Sequence, residues 1–147
     1  MKTLAEIEQR LNELAGCGGP DPESAAVVLS LGETVLEHWV RAQGVEPTND
    51  LREGFRLLAL HRQGCLGQPS FNACRETCRE LVYHYNLITM EPAHENSTRR
   101  FRMMVLLASH LCLFVAGKMQ VAELGDFCCS SRPVREDAAR IDNASGG

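Results

Sequence analysis

Arg79 and His84 stand five positions apart in the stretch CRELVYHYN, residues 78 to 86. An arginine is a permanent cation whose planar fork matches two phosphate oxygens at once. A histidine can take up or release a proton near neutral pH. Together they have the chemistry to grip a phosphodiester and move a proton on it. On a helix the two lie roughly 140° apart, flanking a face that also carries Glu80, Tyr83 and Leu87, with Met90 close by. The opposite stripe, Cys74, Cys78, Leu81 and Tyr85 with Phe71, Val82 and Ile88, is apolar and belongs to a core. An outer face that mixes an aromatic and a leucine with Arg and His predicts a second contact surface, either a ligand groove or a seam between two copies of the chain. Arg75, Glu80 and Tyr83 are accordingly candidate binding residues beside the candidate catalytic pair Arg79 and His84. Arg75 and Arg79 also form a local basic patch with Arg99, Arg100 and Arg102.

Other residue types that could do chemistry are less well arranged. His38, His61, His84 and His110 fall one on each of four expected helices. In an antiparallel bundle, however, His38 and His84 would sit at one pole and His61 at the other. No carboxylate-x-x-His pair accompanies them, so no bundle metal centre is expected. Cys74 and Cys78, spaced i, i+4, could share a soft metal but are expected to be small buried hydrophobes. Cys128 and Cys129 are adjacent thiols with no further ligands nearby. Arg56 and His61 repeat the five-residue Arg/His spacing. NST at 96 to 98 is expected to cap a helix rather than to accept a glycan. No phosphate-binding loop, dinucleotide glycine motif, nucleophile elbow or zinc-protease signature is present.

The elements that must position these residues are all helical. Apolar residues recur at 3.6-residue spacing throughout, and no period-2 run appears. Leu4, Ile7, Leu11 and Leu14 predict a short N-terminal helical arm, residues 1 to 20, closed by GCGGP. Asp21, Pro22 and Glu23 predict a capped helix running to about Gln43, with Gly32 at a close helix contact. Thr48 or Asn49 is expected to cap a third helix carrying Leu51, Phe55 and Leu58. Ser70 is expected to cap a fourth helix reaching Met90, and Asn96 or Ser97 a fifth reaching about Leu124. Short connections then predict an up-down four-helix bundle over residues 21 to 124, followed by a flexible tail over 125 to 147.

The 147 residues are enough for one domain with a real core, and the formal charge of −4 argues against a chain that binds polyanions over its whole surface. MMVLLASHLCLFVAG, residues 103 to 117, falls short of the roughly 20 residues of a membrane span, so a core helix and no membrane contact are expected. The N-terminus lacks the pattern of a signal peptide, which predicts a cytoplasmic location and makes the seven cysteines reduced thiols.

An R-x-x-x-x-H motif on the helix before the last one of a small bundle resembles the HEPN superfamily. The similarity covers roughly residues 22 to 120 and includes the preceding stretches AAVVLSLGETVLEHWVRAQGVEP and TNDLREGFRLLALHRQG. It implies a metal-independent ribonuclease that needs no cofactor and works as a homodimer with two Arg/His pairs facing one cleft. Arg79 would contact the scissile phosphate, and His84 would serve as general acid or base in a cut driven by the RNA's own 2′-hydroxyl. The family often has Asn, Asp or His after the arginine, where this chain has Glu80. The resemblance also implies RNA, an antitoxin or a nucleotidyltransferase as partner. Two function classes follow: a toxin-type RNA-cleaving or RNA-binding protein, and a non-catalytic, homodimeric interaction module.

Overall fold

The computed structural model describes residues 1 to 16 and 21 to 122. The expected tail over 125 to 147, with Cys128 and Cys129, lies outside the described residues. Within them the fold is all-α. Five α-helices, α1 (Leu4–Ala15), α2 (Pro22–Ala42), α3 (Arg56–Cys65), α4 (Arg75–Met90) and α5 (Ser97–Val121), are joined by loops and one 3-10 segment, Pro69–Cys74. The chain divides into two compact units, Met1–Ala116 and Gly117–Gly147, and of the second only the end of α5 and Ala122 are described.

Local chemistry accounts for the helix starts. Thr3 and Glu6 form a reciprocal capping box on α1, the Glu6 N–H donating to Thr3 Oγ1 at 3.1 Å and the Thr3 N–H to Glu6 Oε1 at 2.9 Å. The Asp21 carboxylate accepts the Ser24 N–H at 2.7 Å with Pro22 at the first helical position, the start that the sequence predicts.

α2 is the central element, packing against α1, α3 and α4. Its stripe Val28, Leu31, Val35, Leu36, Trp39 and Val40 is buried, and Gly32 lets neighbours approach: a Cβ there would lie 3.1 Å from Leu81 Cδ2 and 3.3 Å from Leu57 Cδ1. α1 buries Ile7, Leu11 and Leu14, and is tied down where His38 Nε2 donates to the Lys2 carbonyl at 2.7 Å. α5 is long and apolar enough to cross a membrane by length and composition, but Phe101, Met104, Val105, Ala108, Leu111, Cys112 and Val115 are buried in the protein.

Two helix starts differ from expectation. α3 begins at Arg56, not after Thr48 or Asn49, because Arg52 to Phe55 fold into a tight turn and leave Leu51 66% exposed. α4 proper begins at Arg75, since Pro69–Cys74 winds as a 3-10 segment in place of a Ser70-capped α-helix.

Aromatic packing joins α2, α3 and the 3-10 segment. Trp39 stacks on Phe71 with centroids 4.7 Å apart and planes 4° from parallel, and its Nε1–H donates to the Gly64 carbonyl at 2.9 Å. Gly64 has to be a glycine, since a Cβ would come within 2.9 Å of both rings.

Candidate functional site

The turn before α3 sets the site. Arg52 and Phe55 exchange backbone hydrogen bonds, both at 3.0 Å, around Glu53 (φ 55°) and Gly54 (φ 86°). Two successive left-handed residues make the two-residue turn of a hairpin, a conformation glycine adopts freely and glutamate only at a cost. The turn delivers the Glu53 carboxylate to α4, where Arg79 Nη2 donates to Glu53 Oε1 at 2.8 Å and Arg52 Nε stands 4.0 Å from Oε2. The Arg79 hydrogen bond holds the Glu53 carboxyl below its usual value, with Arg52 and Arg75 adding to the attraction and partial desolvation opposing it.

Arg75 and Arg79, one helical turn apart, share a face of α4. They line a concave pocket of about 180 Å³ together with Arg52 from the turn and Arg62 from α3, around Leu58, His61, Cys65 and Asn72. The floor is rigid. His61 is buried and stacks on Phe71 at 5.8 Å and 24°. Cys65 Sγ lies 3.6 Å from His61 Nε2 and donates to Asn72 Oδ1 at 3.9 Å. Burial raises the Cys65 thiol, so it stays protonated at neutral pH. Arg75 reaches Glu76 at 3.0 Å.

Arg52 and Arg62 also border a neighbouring depression of about 470 Å³, which includes Asp50, Leu51, Ala59 and Leu66. Leu66 is 74% exposed. The two hollows share Arg52 and Arg62 in their linings.

Of the residues that the sequence singles out, the structure brings Arg75 and Arg79 into one pocket. Glu80, Tyr83 and His84 do not line it. They sit further along α4, where Tyr83 is 58% exposed and its ring packs edge-on against His84 at 5.3 Å. His84 is partly buried and its Nδ1 is enclosed without a hydrogen-bond partner. Burial lowers the His84 imidazole from the ordinary 6.5, Glu80 pulls the other way, and Arg100 lowers it further, so the neutral ring prevails at pH 7. Arg100 itself is held by Glu91 at 3.3 Å, and Arg99 and Arg102 are exposed.

Arg52, Glu53 and Arg62 escape a reading by motif. The available signals were the glutamate–glycine turn at 53–54 and the two arginines spaced i, i+4 on α4. Arg56 of the second Arg/His spacing is a packing residue, bound to Glu37, 3.6 Å from Glu33, and donating to the Thr48 carbonyl at 2.9 Å. Cys74 and Cys78 lie in the core, where the Cys78 thiol and then His61 lower Cys74 while Cys78 is driven up. Among the described residues no three His, Cys, Asp or Glu side chains are grouped to hold a metal ion.

This geometry can hold a compact anion against several guanidinium groups. The chain matches no family model, no curated protein and no solved structure.

Proposed function

We propose that the chain is an RNA- or nucleotide-binding helical protein of HEPN-like type, with phosphate held at the α3–α4 pocket. The observation that carries this reading is the convergence of four arginines, Arg52, Arg62, Arg75 and Arg79, from a turn and two helices onto one concave site. Guanidinium groups gathered this way suit phosphate, for which each can offer paired donors. Fluorescence anisotropy with a short labelled RNA tests it. Binding should weaken as salt is raised, and Arg79→Ala should lower affinity about tenfold, the value of one charge-assisted hydrogen bond. Binding that ignores both salt and the substitution rules the reading out.

A second reading, metal-independent cleavage, is favoured by one feature of His84: a partly exposed ring held in the neutral form, able to accept a proton. In that reaction a base takes the proton from the RNA 2′-hydroxyl, the oxygen attacks phosphorus, and the departing 5′-oxygen is protonated. A toxin-type enzyme of this kind would be restrained by an antitoxin or nucleotidyltransferase partner. RNA incubated in chelator should be cut by the natural chain and by neither Arg79→Ala nor His84→Ala. Cutting by both variants, or by none of the three proteins, removes the enzymatic reading. RNA affinity without cutting leaves a binding protein, and a dimer without RNA affinity leaves an interaction module.

A further inference from the structure

The α3–α4 pocket is too small for a whole nucleotide and unusually charged for its size. At about 180 Å³ it falls below the range of roughly 300 Å³ and upward typical of complete small-molecule sites. Four arginines line it, while two nearby carboxylates, Glu53 on Arg79 and Glu76 on Arg75, each neutralise one of them. Two positive charges therefore remain, which balances a phosphomonoester dianion better than the single charge of an internal diester.

What adjoins the pocket supplies the rest of such a ligand. The larger depression of about 470 Å³ shares Arg52 and Arg62 with it, and its walls include the exposed side chains of Leu51 and Leu66. The flat face of a nucleobase can lie against leucines. The Asp50 carboxylate in the same depression can accept hydrogen bonds from ribose hydroxyls. Building on the phosphate-binding reading above, we infer that the two hollows form one site for a nucleotide bearing a phosphomonoester, its phosphate among the arginines and its nucleoside in the adjoining depression.

Glu53 is the specificity element of this site. Its carboxylate already occupies Arg79, with the other oxygen turned toward Arg52. An incoming phosphate has to displace it. A doubly charged monoester competes for Arg79 with a carboxylate more effectively than a singly charged diester, so Glu53 filters against internal RNA phosphates. The backbone supports the role. Glu53 is the only non-glycine residue with positive φ among the described residues, and such strained positions persist where the surroundings hold them in place.

Free mononucleotides and phosphorylated RNA ends share this chemistry, and a competition experiment separates them. Labelled RNA decamers of one sequence would be prepared with a 5′-phosphate, a 3′-phosphate or hydroxyls at both ends. One phosphorylated decamer should bind at least about tenfold more tightly than the hydroxyl form, the worth of a further pair of charge-assisted bonds. Arg62→Ala should abolish that preference. Glu53→Gln should tighten binding of the hydroxyl decamer more than that of the phosphorylated one, narrowing the gap.

Unlabelled nucleoside 5′-monophosphate should displace the phosphorylated decamer at concentrations where inorganic phosphate does not. Displacement by the mononucleotide as tight as the decamer's own binding would assign the site to free nucleotides. Weaker displacement assigns it to RNA ends. Equal affinity of all three decamers overturns the inference while leaving RNA binding intact. Equal displacement by inorganic phosphate and mononucleotide also overturns it, because the second hollow would then contribute nothing. Failure of every decamer and of the mononucleotide to bind defeats the phosphate-binding reading itself.

Discussion

At the scale of single residues, Arg79 and His84 do separate things. Arg79 is committed to a carboxylate and a cationic pocket, whereas His84 belongs to the neighbourhood of Tyr83, Glu80 and Arg100. The consequence for His84 is a definite pH behaviour. Its folded-state pKa lies below the ordinary 6.5. At pH values just under 6.5 the unfolded chain therefore binds more protons than the folded one. The stability that His84 contributes is complete above about 6.5 and is lost as pH falls through the lowered value. Proton NMR of the imidazole should show a midpoint below 6.5, and replacing Glu80 with Gln should lower it further, because the carboxylate that opposes the shift is gone. A midpoint at or above 6.5 would contradict the burial of this ring. The sequence identified Arg75 and Arg79 as neighbours because i, i+4 spacing is local. It did not identify Arg62, because nothing local says that α3 lies against this face of α4.

At the scale of elements, what was legible depended on whether the deciding interaction was short-range. Asp21 followed by Pro22 marks a helix start by itself, and the structure has it there. Leu51, Phe55 and Leu58 mimic the spacing of a helix face, yet Glu53 and Gly54 adopt left-handed backbone and end any helix through them. The glutamate–glycine pair was the turn signal, and the apolar spacing masked it. Gly64 illustrates a constraint no pattern could disclose, because the rings that require it come from α2 and from the 3-10 segment. Gly64→Ala must force Trp39 or Phe71 to move. It should lower stability by about 1–3 kcal/mol in urea unfolding, despite the better helix propensity of alanine. Gly117→Ala is the matched control, since a Cβ there meets nothing within 4 Å and the change should be neutral or mildly stabilising.

At the scale of the molecule, a net charge of −4 coexists with a concentrated cationic site. Long-range attraction for a polyanion is then weak, and affinity at the proposed site must come from contact. Several large apolar side chains are exposed on α4 and α5. Tyr83 and Met90 on α4 are 58% and 76% exposed, and Leu106 and Leu113 on α5 are 49% and 55% exposed. The proposed homodimer through the outer face of α4 should give a dimer mass in light scattering at tens of micromolar, and Tyr83→Asp with Met90→Asp should convert it to monomer. A monomer mass for the natural chain would dismiss the dimer. All-α architecture was legible from periodicity alone, since every described helix carries an apolar stripe. The site was half legible, because a pocket assembled from a turn and two helices exists only after they pack.

Trp39 is the chain's single tryptophan and only 1% of it is exposed. Its indole rests on Phe71, which also stacks against His61 of the arginine pocket. The protein thus carries an intrinsic optical reporter separated from the candidate ligand site by two rings, Phe71 and His61. Emission should be blue-shifted in the native state and move to longer wavelength on unfolding, and titration of a phosphorylated nucleotide can be followed through it without any label.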